Sequence, residues 1–227
     1  MDVSNLVQTV AIYALPVLFA ITLHEAAHGY VARHFGDLTA HAQRRISVNP
    51  VRHVEFLGTI LVPALLLLAT AGKFAFGWAK PVPVNYSALK KPRLHMALVA
   101  AAGPAANLGM LVLWAVIMRA SIELPDGYWP EFLLKLAVAG VVVNFMIMAF
   151  NLLPILPLDG GRILVGLLPV RLAAAFGRTE ALGSYFFMAF AVFGVYDTTV
   201  NDGRFMAGLL QPLRHVAVKL LHEIASS

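Results

Sequence analysis

The stretch from Leu15 to Gly36 constrains this chain more than any other, because an apolar run, Leu6 to Leu23, leads without a break into His24-Glu25-Ala26-Ala27-His28. No glycine or proline falls between Pro16 and Gly29, so the sequence predicts one helix that continues to about His34 and stops at Gly36-Asp37. Ionisable groups at membrane depth are expensive and are usually there for function. Residues four apart share a helix face, so His24 and His28 can turn ring nitrogens toward one ion. Glu25, about 100° round the axis, can then reach a water at that ion without being a ligand. This is the H-E-x-x-H arrangement of two zinc ligands and a general base. The plain alternative, two buried and hydrogen-bonded histidines, leaves Glu25 unexplained. His34 completes the histidine spacing of a metzincin, but Val31 stands where that pattern has glycine. On a continuing helix His34 lies about 120° and roughly 9 Å from His28, which makes it a solvated or interfacial histidine.

The surrounding composition is that of a membrane protein: 59% hydrophobic, 13% charged, mean hydropathy +0.77. With no cysteine, neither a disulfide framework nor a thiolate metal site is available, and any metal must be held by His, Asp or Glu. The net charge of +5 comes from basic residues that flank apolar runs. They read as topology signals rather than a phosphate-binding patch, and no nucleic-acid partner is expected. Met1 to Asn5 lacks the basic n-region of a cleaved signal peptide, so the first run is expected to remain in the mature protein.

Further apolar runs cover Phe56 to Gly72, Leu94 to Met118, Phe132 to Leu153 and Leu182 to Tyr196. The second contains Pro63 and either crosses or re-enters. Between the first two lies a polar, basic stretch, 38 to 55, with β-favouring residues around Ile46 to Val48; a small extended element on the membrane surface is expected there, with a plain loop as its alternative. His41, His53 and Glu55 in this stretch are potential ligands by type only. Pro81 and Pro83 in Gly77-Trp78-Ala79-Lys80-Pro81-Val82-Pro83-Val84-Asn85 rule out helix and favour an extended path. The edges of 44 to 50 and 76 to 85 are candidate templates for an unwound substrate strand. The tail, Arg204 to Ile224, is amphipathic and reads as interfacial. The positive-inside rule puts the basic segments 33 to 55, 80 to 93 and 162 to 178 in the cytoplasm and the acidic loop 119 to 131 outside, which brings His24-His28 and the end of the fourth run to one side.

A catalytic zinc site needs a third protein ligand and one position for water. Asp159 is the leading candidate. It follows a helix end broken by Pro154 and Pro157, and two glycines follow it, which would let backbone turn closely around an ion. An ordinary turn is the alternative. Glu55, 27 residues after His28, competes as a downstream glutamate, but Arg52 and His53 beside it make a solvated carboxylate cheap there.

Together, HEAAH on a first membrane helix, GPAAN (103 to 107) on a central one and NLLPILPLDGGRIL (151 to 164) resemble the site-2 protease family of intramembrane zinc metalloproteases, peptidase family M50. The likeness spans most of residues 15 to 165, and GWAKPVPVN resembles the family's short branch, without a PDZ domain. The resemblance implies one zinc per chain on His24, His28 and Asp159, Glu25 as catalytic base, and cleavage of the transmembrane segments of substrate proteins. It also implies that Asn107 and Asn151 orient substrate or stabilise an oxyanion; interhelical hydrogen bonding is their structural alternative, and for Asn144, one heptad before Asn151, packing is the better reading.

The expected protein is therefore an all-α, multi-pass membrane protein. It has five to six transmembrane or re-entrant segments and a small membrane-associated β element. It forms one domain over 1–227, with a catalytic core at about 6–165 and C-terminal helices at 180–224. Its expected setting is a prokaryotic cell membrane, in contact with the lipid bilayer, with the site toward the cytoplasm. A catalytically silent adaptor of the same fold, or a metal-ion transporter, is the alternative function. The first has little reason to keep Glu25 and all three ligands, and the second should line a path across both leaflets with polar groups.

Overall fold

The computed structural model describes residues 3–226. The apolar run and the motif form a single helix, α1 (Val3–His34), which ends just before Gly36. Then come a one-turn helix α2 (Thr39–Ala42), a 3-10 turn at Pro50–Arg52, and a π-helical segment Phe56–Leu61 that runs into α3 (Val62–Ala69). The long helices α4 (Pro92–Ile122) and α5 (Tyr128–Asn151) follow, then α6 (Asp159–Leu167), α7 (Val170–Gly177), α8 (Glu180–Val200) and α9 (Arg204–Ser226).

Among the described residues, three helices are long and apolar enough to cross a membrane: Val7–His34, Pro92–Ile122 and Tyr128–Asn151. Val170–Gly183 and Met188–Val200, bent by 46°, would make a fourth crossing if they form one span. The outward faces carry Val7, Val10, Leu15, Leu98, Leu108, Val112, Leu113 and Val116, all exposed. In water such a surface would be a liability, whereas in hydrocarbon it is the expected one. Between the helices the buried positions are small. Ala20, Ala26 and Ala32 of α1, Ala97, Ala100 and Gly103 of α4, and Ala137, Ala139 and Gly140 of α5 let the backbones approach closely, which is how helices associate where lipid is as apolar as leucine. Leu111, Trp114 and Met118 of α4 meet Leu136, Ala137 and Val141 of α5 in the largest apolar cluster, and Leu220, Leu221 and Ile224 of α9 pack on its edge.

One expectation changes, and one choice left open is narrowed. Among the described residues there is no β-strand, so the extended element expected near Ile46 to Val48 is absent. A lone β-favouring triplet has no ladder without a partner strand. The groups that could form one are taken otherwise: the Arg45 guanidinium donates to the carbonyls of Arg52 (2.6 Å), Lys80 (2.9 Å) and Pro81 (3.3 Å). The second apolar run is also shorter than its hydropathy suggested. Six π-helical and eight α-helical residues reach about 20 Å, short of a hydrocarbon core of about 30 Å. The chain then returns alongside, with the Trp78 N–H donating to the Gly58 carbonyl (3.0 Å) and the Trp78 indole to Glu55 (2.7 Å). The two ends of this hairpin therefore meet, and the count of five to six segments falls to three or four full-length ones plus a hairpin.

Candidate metal centre

Four elements converge at the motif. His24 and His28 lie one turn apart on α1 with ring centroids 4.7 Å apart and planes at 84°. Asp159 begins α6, with its carboxylate 3.1 Å from His24 Nε2 and 3.4 Å from His28 Nε2. One ligand atom from each of the three residues falls within 4.8 Å of the others. His34 lies exposed against Phe35, His53 bonds the Ser47 carbonyl, and Glu55 bonds Trp78, so none of these joins the cluster.

Backbone carbonyls, which can only accept, fix the ring tautomers. His28 Nδ1 donates to the Val99 carbonyl (2.7 Å), so its Nε2 carries a free lone pair. Two asparagines fix the His24 ring. Asn144 Nδ2 donates to the Gly140 carbonyl (2.9 Å), which turns its Oδ1 to accept from Asn107 Nδ2 (3.0 Å); Asn107 Nδ2 also reaches the Ala20 carbonyl (3.2 Å). Asn107 Oδ1 then accepts from His24 Nδ1 (2.6 Å) and leaves His24 Nε2 free as well. Both asparagines are fully buried. Outer partners of this kind orient a ligand and raise its basicity.

The result is three electron-pair donors facing one another, and Asp159 Oδ2 is buried with no hydrogen-bond partner among the described residues. Acceptors arranged in this way fit a cation. Two atoms held by one tetrahedral zinc at about 2.1 Å lie roughly 3.4 Å apart, which matches the separations of both histidine nitrogens from the carboxylate. A set of two imidazoles, one carboxylate and no thiolate suits zinc.

Close approach explains the glycines. A Cβ on Gly103 would stand 2.5 Å from His28 Nε2 and 2.6 Å from His24 Nε2, where the metal belongs. On Gly160 and Gly161 it would run into backbone of Leu152, Leu153 and Ile155, so α6 could no longer seat against the end of α5 and present Asp159. Neither of this pair has a left-handed φ, so they serve proximity rather than a special turn. Sequence reasoning missed Gly103 and Asn144. Gly103 was in view inside GPAAN, whereas nothing in the sequence says that Asn144 faces Asn107. Asn151 donates to Ile147, four residues back on its own helix (3.0 Å).

Glu25 is half-buried beside the cluster, and its Oε2 accepts the Val82 N–H (2.7 Å). The segment from Trp78 to Asn85 is a strap across the motif, with the side chains of Ile46 and Val82 closing over Gly29. Trp78, Lys80 and Val82 donate inward to the Gly58 carbonyl, the His53 carbonyl and Glu25, and Asn85 N–H reaches the buried Asp37 (2.7 Å). That alternation is an extended chain's. Pro81 and Pro83 fall on the other side, where no N–H is needed, so a strand adding beside them would meet carbonyl oxygens and no N–H donor.

Comparison with known proteins agrees with this geometry. The family profile described as Peptidase family M50 matches residues 124–194. A Bacillus subtilis (strain 168) protein named "Putative zinc metalloprotease YwhC" is 37% identical over 185 residues, 78% of each chain. The chain belongs to peptidase family M50. A second relative, "Putative zinc metalloprotease Rip2" of Mycolicibacterium smegmatis, is 30% identical over 146 residues, 63% of this chain and 52% of that one. No solved structure matches. As an M50 peptidase with three spanning-length helices, this is a membrane protein.

If Asn107 orients a ligand, Asn107→Leu should weaken zinc binding about 10–100-fold, the usual effect of losing an outer partner. Asn144→Leu should shift it the same way by less. Competition with a zinc chelator on folded protein, compared by circular dichroism, reads this directly; unchanged zinc affinity in both would leave the pair a packing role only.

Proposed function

We propose that this M50 peptidase is an intramembrane zinc metalloendopeptidase that hydrolyses peptide bonds within or near the transmembrane segments of other proteins. The observation that carries the reading is the meeting of His24, His28 and Asp159 beside Glu25, on helices whose outer faces suit hydrocarbon. His24 lies ten residues before the end of α1 at His34, about 15 Å along the axis, so the site lies within the apolar thickness rather than on its surface. The metal is zinc, held by His24, His28 and Asp159, which leaves one position open. When bound, it supplies Lewis-acid polarisation of the scissile carbonyl and lowers the pKa of a water toward about 7.

The chain's own residues do the rest. Glu25 takes the water's proton and delivers it to the departing amine; its Oε2 accepts the Val82 N–H, which orients the carboxylate and leaves its other oxygen for the proton. His24 and His28 stay correctly turned because Asn107 and the Val99 carbonyl accept from their Nδ1 atoms and leave Nε2 facing the cluster. A helical substrate has its carbonyls already bonded, so the segment must unwind, and the strap's outer carbonyls are placed to accept its freed N–H groups. Water reaches the site from the end of α1, where Arg33, Arg44, Arg45 and Arg52 gather, and the positive-inside rule makes that end cytoplasmic in a prokaryotic membrane.

Purified protein in detergent should cleave a single-span membrane substrate, lose that activity to a zinc chelator and recover it with added zinc. Cleavage that survives a chelator shown to have stripped the zinc would overturn the reading.

A further inference from the structure

Positive charge collects without counter-charge in a cavity of about 430 Å³ beyond the end of α1, lined by Gln43, Arg44, Arg45, Val51, Arg52 and Lys80 together with Val54. No carboxylate lines it. Among the described residues none of its four cations has an ion-pair partner within 4.0 Å. Backbone carbonyls hold two of the guanidiniums instead: Arg45 makes the three bonds given above, and Arg52 Nη1 donates to the Arg44 carbonyl (2.8 Å). A guanidinium has five N–H donors, so both are fixed in place while keeping free donors and their full charge. Arg44 itself sits at φ 52°, a left-handed conformation that suits glycine. The backbone is strained to carry a cation at that point.

Chain order sets the depth. Six of the cavity's seven residues lie between the end of a spanning-length helix and the apolar segment that starts at Phe56, and Lys80 joins them from the strap. On its rim Val51 is 77% exposed, and Phe56, the first residue of that apolar segment, is 66% exposed. A soluble anion has no use for those side chains, whereas a lipid has both a charged head and apolar tails.

We propose that this cavity binds the phosphate of an anionic phospholipid, with the guanidiniums and Lys80 taking the phosphate oxygens and Val51 and Phe56 lying beside the acyl chains. The bound head group then rests against the strap, since Arg45 holds the carbonyls of Lys80 and Pro81 next to the Val82 N–H on Glu25.

The test uses the full-length protein in mixed micelles, with native mass spectrometry reading retained lipid. Phosphatidylglycerol should be retained in preference to phosphatidylcholine. Arg44→Gly removes a charge and relieves the strained backbone, so the melting temperature should hold or rise while phosphatidylglycerol retention falls about fivefold, the usual effect of one basic residue near a charged lipid surface. Adding Arg52→Gln and Lys80→Gln should lower it further, and Arg214→Gln on α9 should leave it unchanged. Equal retention of the two lipids overturns the proposal, as does unchanged retention in the triple variant. Full displacement of the lipid by inorganic phosphate at equal concentration would mark a soluble-anion site, and preferential capture of an acidic peptide a protein-docking one; either result also defeats it. Neither zinc nor cleavage is read, so the outcome stands apart from that of the protease reading.

Discussion

Glu25→Gln should leave zinc bound at its wild-type level and reduce cleavage of a membrane substrate by about 10²–10⁴-fold, the usual contribution of a general base. The substitution isolates that one role. Glutamine keeps an oxygen where Oε2 accepts the Val82 N–H, so the strap stays seated, and Glu25 is outside the cluster formed by His24, His28 and Asp159, so the ligands stay as they are. Only the capacity to take a proton is lost. Turnover by purified Glu25→Gln protein within a factor of two or so of wild type would mean that another group does the chemistry.

The second large effect concerns the third ligand. Asp159→Ala removes the carboxylate that faces both histidine nitrogens. It should weaken zinc binding by more than the about hundredfold that marks the upper range for outer partners, and abolish cleavage. Glu55→Ala should keep zinc near one per chain, because its carboxylate is spent on the Trp78 indole at the surface. Zinc analysis of the two purified variants by mass spectrometry separates them, and a depleted Glu55→Ala beside a loaded Asp159→Ala would reverse the assignment.

The elements legible in the sequence were those specified by a single segment. The helix over the motif could be read through to its end because the chain has no breaker between Pro16 and Gly29 and turns at Gly36. The runs that became α4 and α5 could be read because about twenty apolar residues admit few other uses. What escaped were features that depend on a partner. Ile46 to Val48 has the local preference of a strand, but Arg45 spends the neighbouring carbonyls on a side chain. The run from Phe56 could be read as crossing or re-entering at Pro63, and only the return of Trp78 to Gly58, outside the run, tells that the fold uses a short helix with a returning chain. Asn144 shares a helix face with Asn151 in projection, and only the packing of α4 against α5 tells that one reaches Asn107 while the other bonds its own helix. The glycines after Asp159 were read as a turn around an ion. The fold uses them to bring two backbones together.

The ligands sit at opposite ends of the order of synthesis. Two are on α1, and the third starts α6, after α4 and α5 have been laid down between them. During translation the histidine pair and its glutamate emerge first; α4 then supplies the Asn107 and Val99 partners of their Nδ1 atoms, and the carboxylate that faces their Nε2 atoms arrives only with α6. The nascent chain is therefore inert by construction, and the peptidase becomes competent only when biogenesis of the helical core is complete.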